Sequence, residues 1–230
     1  MPAVAAVYGP QMPNRALTLL SLCLSFAAFA QDPAPTADEK ACKKGNGAAC
    51  ARSGRARIDS EEYALAKPLL EKGCQHGSAE ACDDLGWIYD DGLGIDVDKD
   101  KAAKFYAKSC AGKFARGCTN EGVMRLKGDG LPKDATKAAD CFQKACDGGN
   151  WPGCRDLGLR YLNGDGRPKS EQKAKELFEK GCEAENGASC YDLAVMYSNG
   201  EGMPKNKAQA KKFFKQGCDL GHEKSCEFAK

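Results

Sequence analysis

The chain has 230 residues, with 34 Lys and Arg against 32 Asp and Glu. That near-balance argues against a nucleic-acid partner, which leaves a basic excess on the chain, and no charged block stands out as a tail. The 14 cysteines are far above ordinary usage and point away from a cytosolic protein unless they bind metal.

The first apolar run, residues 17–30, follows Arg15 and ends in Ala28-Phe29-Ala30. A positive start, a short apolar core and small residues at its end read as a signal peptide over residues 1–30, cleaved after Ala30. The stretch before the run is long for a signal, so translation from Met12 is the alternative to Met1. The run is too short to span a membrane, and no membrane span is expected. Leu22 precedes Cys23, where a lipid-anchor site needs a small residue. Export places the chain in a secreted or periplasmic setting, where disulfides persist. Residues 31–40 hold two prolines and little apolar bulk and read as a disordered linker.

From residue 41 onward the chain repeats. Cysteines eight apart occur at Cys42/Cys50, Cys74/Cys82, Cys110/Cys118, Cys146/Cys154, Cys182/Cys190 and Cys218/Cys226. From Cys74 each pair begins 36 residues after the one before, whereas the first interval is 32. In the unit 79–114, Ala81, Leu85, Gly86 and Tyr89 recur at helical spacing, which predicts a helix A from Ala79 to about Asp91. Gly92 and Gly94 close it, and Asp98 or Asp100 caps a helix B reaching about Ala111. Gly112 ends helix B.

The columns persist from unit to unit. Ala66, Ala102, Ala138, Ala174 and Ala210 share one helix B position; Leu70, Tyr106, Phe142, Phe178 and Phe214 share another. Gly54, Gly86, Gly122, Gly158 and Ala194 keep a helix A position small. Leu85, Leu157 and Leu193 form a core column that Ser53 and Glu121 interrupt. Paired helices at a fixed period predict an all-α solenoid of stacked hairpins. It has an irregular first unit at 43–78, repeats at 79–114, 115–150, 151–186 and 187–222, and a partial unit at 223–230. A short B-to-A turn brings residues eight apart face to face, with Cα atoms about 5–6 Å apart, so each cysteine pair is expected to form a disulfide. Each would contribute roughly 2–3 kcal/mol.

The run Leu157-Gly158-Leu159-Arg160-Tyr161-Leu162-Asn163-Gly164-Asp165-Gly166, followed by Lys173-Ala174-Lys175-Glu176-Leu177-Phe178, resembles the Sel1-like repeat. The cysteine pair at every junction is similar to the Helicobacter cysteine-rich protein family within that class. The resemblance covers residues 41–230. It implies an exported, disulfide-stapled α/α superhelix. It also implies either a scaffold that binds a protein or peptide, or a penicillin-binding protein with weak β-lactamase activity.

Ser170 and Lys173 match the Ser-x-x-Lys spacing of serine β-lactamases, in which a hydroxyl and an amine one turn on share a proton. Ser170 also opens a helix B, where capping is the simpler role. No Lys-Thr-Gly or Ser-Asp-Asn accompanies the pair. The two histidines, His76 and His222, lie in no metal motif; Cys74-x-His76 would need a reduced Cys74. Asp96-Val-Asp98-Lys-Asp100 begins like a calcium loop but has Lys101 in place of the glycine and Ala107 in place of the glutamate. No metal or cofactor is expected.

Cys141 is the odd thiol. It occupies the helix B column of Leu69, Phe105, Leu177 and Phe213, so it is expected to be buried and poorly ionised. The remaining functional candidate is a surface on helix A. Asp84, Asn120, Asp156 and Asp192 form a polar column there, beside an apolar one of Trp87, Val123, Leu159 and Val195. In the resembling superhelices helix A lines the concave side, which implies a groove for an extended peptide. The expected protein is a monomer whose ligand is an unidentified protein or peptide, with a β-lactam as the alternative.

Overall fold

The computed structural model describes residues 35–230. The signal, the Met1 or Met12 start, Cys23 and the linker residues 31–34 lie outside that range. Among the described residues the secondary structure is entirely helical. After α1 (Ala37–Lys43), the hairpins are α2 (Gly47–Asp59) with α3 (Tyr63–Gln75), α4 (Ala79–Asp91) with α5 (Lys99–Ala111), and α6 (Ala115–Lys127) with α7 (Ala135–Asp147). Then come α8 (Trp151–Asn163) with α9 (Glu171–Glu183), α10 (Gly187–Asn199) with α11 (Lys207–Asp219), and the short α12 (Glu223–Phe228). Every helix from α2 to α11 has 13 residues. Equal lengths keep corresponding side chains at the same height in each unit. The chain is therefore an α-solenoid of helix hairpins.

The caps follow the side chains available. Asp98, Asp134, Ser170 and Asn206 each accept a hydrogen bond from the backbone N–H three residues on and start the B helices. Asn46, Ser78, Asn150 and Asn186 do the same for A helices. Residues 36–40 are not a disordered linker. Thr36 Oγ1 accepts from Glu39 N, while the Glu39 carboxylate accepts from Thr36 N, a reciprocal pair that starts α1. Ion pairs Asp38–Arg52 and Glu39–Arg57, with the Cys42–Cys50 disulfide, then tie this helix to α2. Too little apolar bulk for a core does not prevent a helix whose ends are satisfied locally and whose side is covalently fixed.

Each A helix from α4 to α10 ends on a left-handed glycine: Gly92, Gly128, Gly164 or Gly200. The B helices end differently. Gly112 closes α5 with φ −74°, and the left-handed residue is the next one, Lys113, at φ 63°. Gly77, Gly149 and Gly221 fill that position elsewhere, and Glu185 shares the strain of Lys113. A side chain in this region costs roughly 1–2 kcal/mol.

Within a unit the bulky helix B column lands on the small helix A column. A Cβ built on Gly86 would meet the Tyr106 ring at 2.7 Å; on Gly122 it would meet Phe142 at 2.6 Å, and on Gly158 it would meet Phe178 at 2.5 Å. Gly54 stands against Leu70 in the same way. The rings fill the space a methyl would take, and Phe142 and Phe178 are fully buried. The alanine column beside them is buried throughout, from Ala66 to Ala210.

Between units the disulfides join each B helix to the next A helix: Cys42–Cys50, Cys74–Cys82, Cys110–Cys118, Cys146–Cys154, Cys182–Cys190 and Cys218–Cys226. Their Cα separations are 4.3–4.7 Å, tighter than the 5–6 Å expected. The residues just before each pair explain this for five of the six. Gly73/Ala81, Ser109/Gly117, Ala145/Gly153, Gly181/Ser189 and Gly217/Ser225 each contain one glycine, and a Cβ on it would meet its partner at 2.1–2.7 Å. Removing one side chain from each pair lets the helix ends close.

Two stability changes follow. Gly158→Ala drives a methyl into a ring that has nowhere to go, and a loss of about 1–3 kcal/mol is expected. Lys113→Gly relieves a left-handed side chain and is expected to gain up to about 1 kcal/mol. Urea midpoints of the oxidised protein measure both.

Candidate functional site

The A helices touch along the stack, α2 with α4, α4 with α6 and α6 with α8. A cleft of about 390 Å³ opens between α2, α4 and α6, lined by Arg55, Asp83, Trp87, Asp90, Arg116 and Asn120 among others. It continues into a smaller recess of about 200 Å³ that shares Asp90, Asp91, Tyr106 and Asn120.

Trp87 is half-buried. Its ring packs partly on the core that contains Leu85 and Tyr106. Its Nε1–H donates to Asp91 Oδ2 at 2.6 Å, and the Arg55 guanidinium sits 5.8 Å from the ring centroid. Val123, Leu159 and Val195 are half-buried in the same column. The column therefore does both jobs: one side packs and the other faces solvent.

The polar column is not an open row of acceptors. Asp84 is fully buried and is held by Arg55 of α2 and Arg116 of α6. Arg116 also pairs with the buried Asp83, to which Asn120 Nδ2 donates at 3.0 Å. Asp192 is paired with Arg155 of α8, Nε to Oδ2 at 2.5 Å. These pairs link successive A helices; both arginines bond Asp84 Oδ1 and leave the buried Oδ2 without a partner, while Arg155 takes both oxygens of Asp192. Asp156 differs: among the described residues its carboxylate makes no side-chain hydrogen bond, although it is partly buried. Burial raises its pKa, against the pull of Arg155 and Arg160. Trp87, Asn120 and Asp156 are thus the members of the expected surface that keep a free edge.

Sequence columns do not reveal the arginines. Arg55 stands where other units have Trp87 or Val123, Arg116 where they have Glu80 or Pro152, and Arg155 where they have Asp83 or Thr119. Their charge near a buried carboxylate was the available signal, and it requires the helix-to-helix register.

The other candidates are placed plainly. Ser170 Oγ accepts from Lys173 N at 3.3 Å and caps α9, while Lys173 Nζ lies 4.9 Å from the Tyr161 ring centroid. The hydroxyl and amine are thus engaged separately. Cys74 is in a disulfide and His222 Nδ1 sits 2.9 Å from Ser225 Oγ. Asp98 caps α5. Cys141 is buried and is the one free cysteine among the described residues; burial pushes its thiol up to about 11.

Burial raises the Asp84 carboxyl to about 6, partly offset by Arg55 and Arg116 and reinforced by Asp83 and Glu80. An acid whose folded pKa exceeds its unfolded one stabilises the fold when protonated. Its contribution is absent at pH 7.5 and grows as pH falls through 6 towards 4. The stability of the native sequence relative to Asp84→Asn is therefore expected to improve by about 1 kcal/mol between pH 7.5 and 5. Paired urea titrations at the two pH values measure the difference.

No curated protein matches the chain. Among solved structures, a Sel1 repeat protein from Oxalobacter formigenes is 24% identical with a TM-score of 0.77, covering 84% of this chain and 77% of that one. The protective antigen c5321 of uropathogenic Escherichia coli is 25% identical with a TM-score of 0.73, covering 82% and 41%. The Helicobacter pylori cysteine-rich protein B is 31% identical over 55% of this chain and 91% of that one, with a TM-score of 0.45. Residues 79–114, 115–150, 151–186 and 187–222 match the Sel1 repeat. These four segments make up more than half of the sequence, and the chain belongs to the Sel1 repeat family.

Proposed function

We propose that this protein is an exported, monomeric scaffold that binds an extended peptide or a protein segment along its helix A face. The observation that carries this reading is the cleft at Trp87. It offers an aromatic edge, the second oxygens of Asp90 and Asp91, whose others accept from Lys99 and Trp87, and the amide oxygen of Asn120, whose nitrogen is already donated to Asp83. A peptide backbone presents N–H donors that such oxygens accept, and an apolar side chain of the peptide covers the exposed part of the indole. Asp156, two A helices away from Trp87, offers the next open acceptor along the face. The membership in a repeat family that mediates protein–protein contacts supports the class of ligand. Six disulfides fit an extracellular or periplasmic setting, and a signal over residues 1–30 is the route we assign to it.

Selection from a displayed random-peptide library against the oxidised protein tests the site. Selected peptides are expected to lose at least about tenfold in affinity on Trp87→Ala, a loss typical of a central aromatic anchor. Asn120→Ala is expected to weaken them less. Selected peptides that bind Trp87→Ala unchanged would place the surface elsewhere.

A further inference from the structure

The unit 115–150 breaks three apolar columns at once. Glu121 replaces the leucine of Leu85, Leu157 and Leu193; Arg125 replaces the tyrosine of Tyr89, Tyr161 and Tyr197; Cys141 replaces the Phe105, Leu177 and Phe213 column. In units 79–114 and 187–222 these last two columns stack on each other, Tyr89 on Phe105 and Tyr197 on Phe213, each with centroids 5.6 Å apart. In this unit the place of the stack is taken by a thiol and an ion pair. Arg125 Nε and Nη2 donate to Glu121 Oε1 at 2.8 and 2.6 Å, and Glu121 is only 7% exposed.

The Cys141 sulfur, a Glu121 carboxylate oxygen and the Cys110 sulfur all lie within 4.8 Å of one another. Cys110 belongs to the disulfide with Cys118 that joins α5 to α6. Cys110 and Cys118 also line a cleft of about 460 Å³, together with Lys113, Lys144 and Asp147. One staple of the six thus has a free thiol close to one of its sulfurs and lines an open recess that carries two lysines and one aspartate.

We propose that the Cys110–Cys118 disulfide is exchangeable, with Cys141 as its internal nucleophile and Cys118 as the thiol released into the cleft. Cys141 loses its proton to solvent base, and its thiolate forms a bond to Cys110 Sγ as the Cys110–Cys118 bond breaks. Cys118 leaves as a thiolate in the cleft that Lys113, Lys144 and Asp147 also line, and takes a proton from water. The products are a Cys110–Cys141 disulfide and one free thiol, so the number of disulfides is unchanged and no oxidant is needed. The staple then joins α5 to α7 instead of α5 to α6, and Cys118 becomes open to modification.

The groups that face Cys141 set its pace. Burial and then the Glu121 charge hold the thiol in its protonated form, while Arg125 and Lys144 oppose them. Glu121 therefore restrains the exchange, and removing its charge releases it.

Incubation of the native protein at pH 7, 8 and 9, followed by acid quench, alkylation and peptide mapping by mass spectrometry, tests the proposal. The Cys110–Cys141 peptide is expected to appear with alkylated Cys118, at a rate rising about tenfold per pH unit as the thiolate fraction rises. Glu121→Gln is expected to be several-fold faster at pH 8. Cys141→Ala, and Cys141→Leu, which restores the residue type of Leu177, are expected to keep Cys110–Cys118 intact. Absence of the Cys110–Cys141 peptide at pH 9 would overturn the proposal, as would release of Cys118 in either Cys141 variant, scrambling spread evenly over all six disulfides, or an unchanged or slower Glu121→Gln.

Discussion

The contact on which the molecule depends is an aromatic or aliphatic side chain of helix B seated on the bare backbone of helix A. Gly86 under Tyr106, Gly122 under Phe142 and Gly158 under Phe178 repeat it at one height in successive hairpins. A glycine there forfeits helix propensity, roughly 1 kcal/mol against alanine. Burial of a whole ring more than offsets that, since a buried phenylalanine is worth about 1.5–3 kcal/mol. The contact closes each hairpin but does not say how one hairpin meets the next. That second relation is fixed by the cysteine pairs and by the glycine that precedes one member of five of them. In a stack where each unit touches only its neighbours, both contacts must repeat for the array to be continuous.

The arginine–aspartate pairs add a third connection, on the helix A side. Arg55, Asp84, Arg116 and Asp83 bridge α2, α4 and α6, and Arg155 bridges to Asp192 on α10. Buried carboxylates need such partners, because an unpaired charge removed from water is expensive. The arrangement leaves Asn120 and Asp156 between the two sets of pairs, and it leaves Trp87 at their edge. Chain folding thus consumes part of the polar column and leaves the remainder available to a ligand.

The helices, their caps and the hairpin repeat were legible because they are written locally. Asp98, Asp134, Ser170 and Asn206 start helices through their own side chains, and Gly92 and its counterparts end them. The cysteine register carried the junctions. Three things were not legible. Gly112 ends α5 as read, but the left-handed residue that follows it is Lys113, a side chain that no turn propensity announces. Thr36 and Glu39 build α1 by a reciprocal cap that composition does not register. The use of Asp84 and Asp192 by arginines of neighbouring units depends on which helix faces which, and no column of equivalent positions encodes it. The substitutions Glu121, Arg125 and Cys141 were each visible as departures. Their convergence on one slot needed the three-dimensional pairing of α6 with α7.

The pairing of sulfurs is where the account is most directly open to test. Native protein, quenched in acid and alkylated under denaturing conditions without reduction, is expected to give six linkages between cysteines eight residues apart. Over residues 35–230, Cys141 is expected to be the one alkylated cysteine. Free thiols at the junctions, or a fresh acid-quenched sample already linked in another order, would contradict the stacking of hairpins described above.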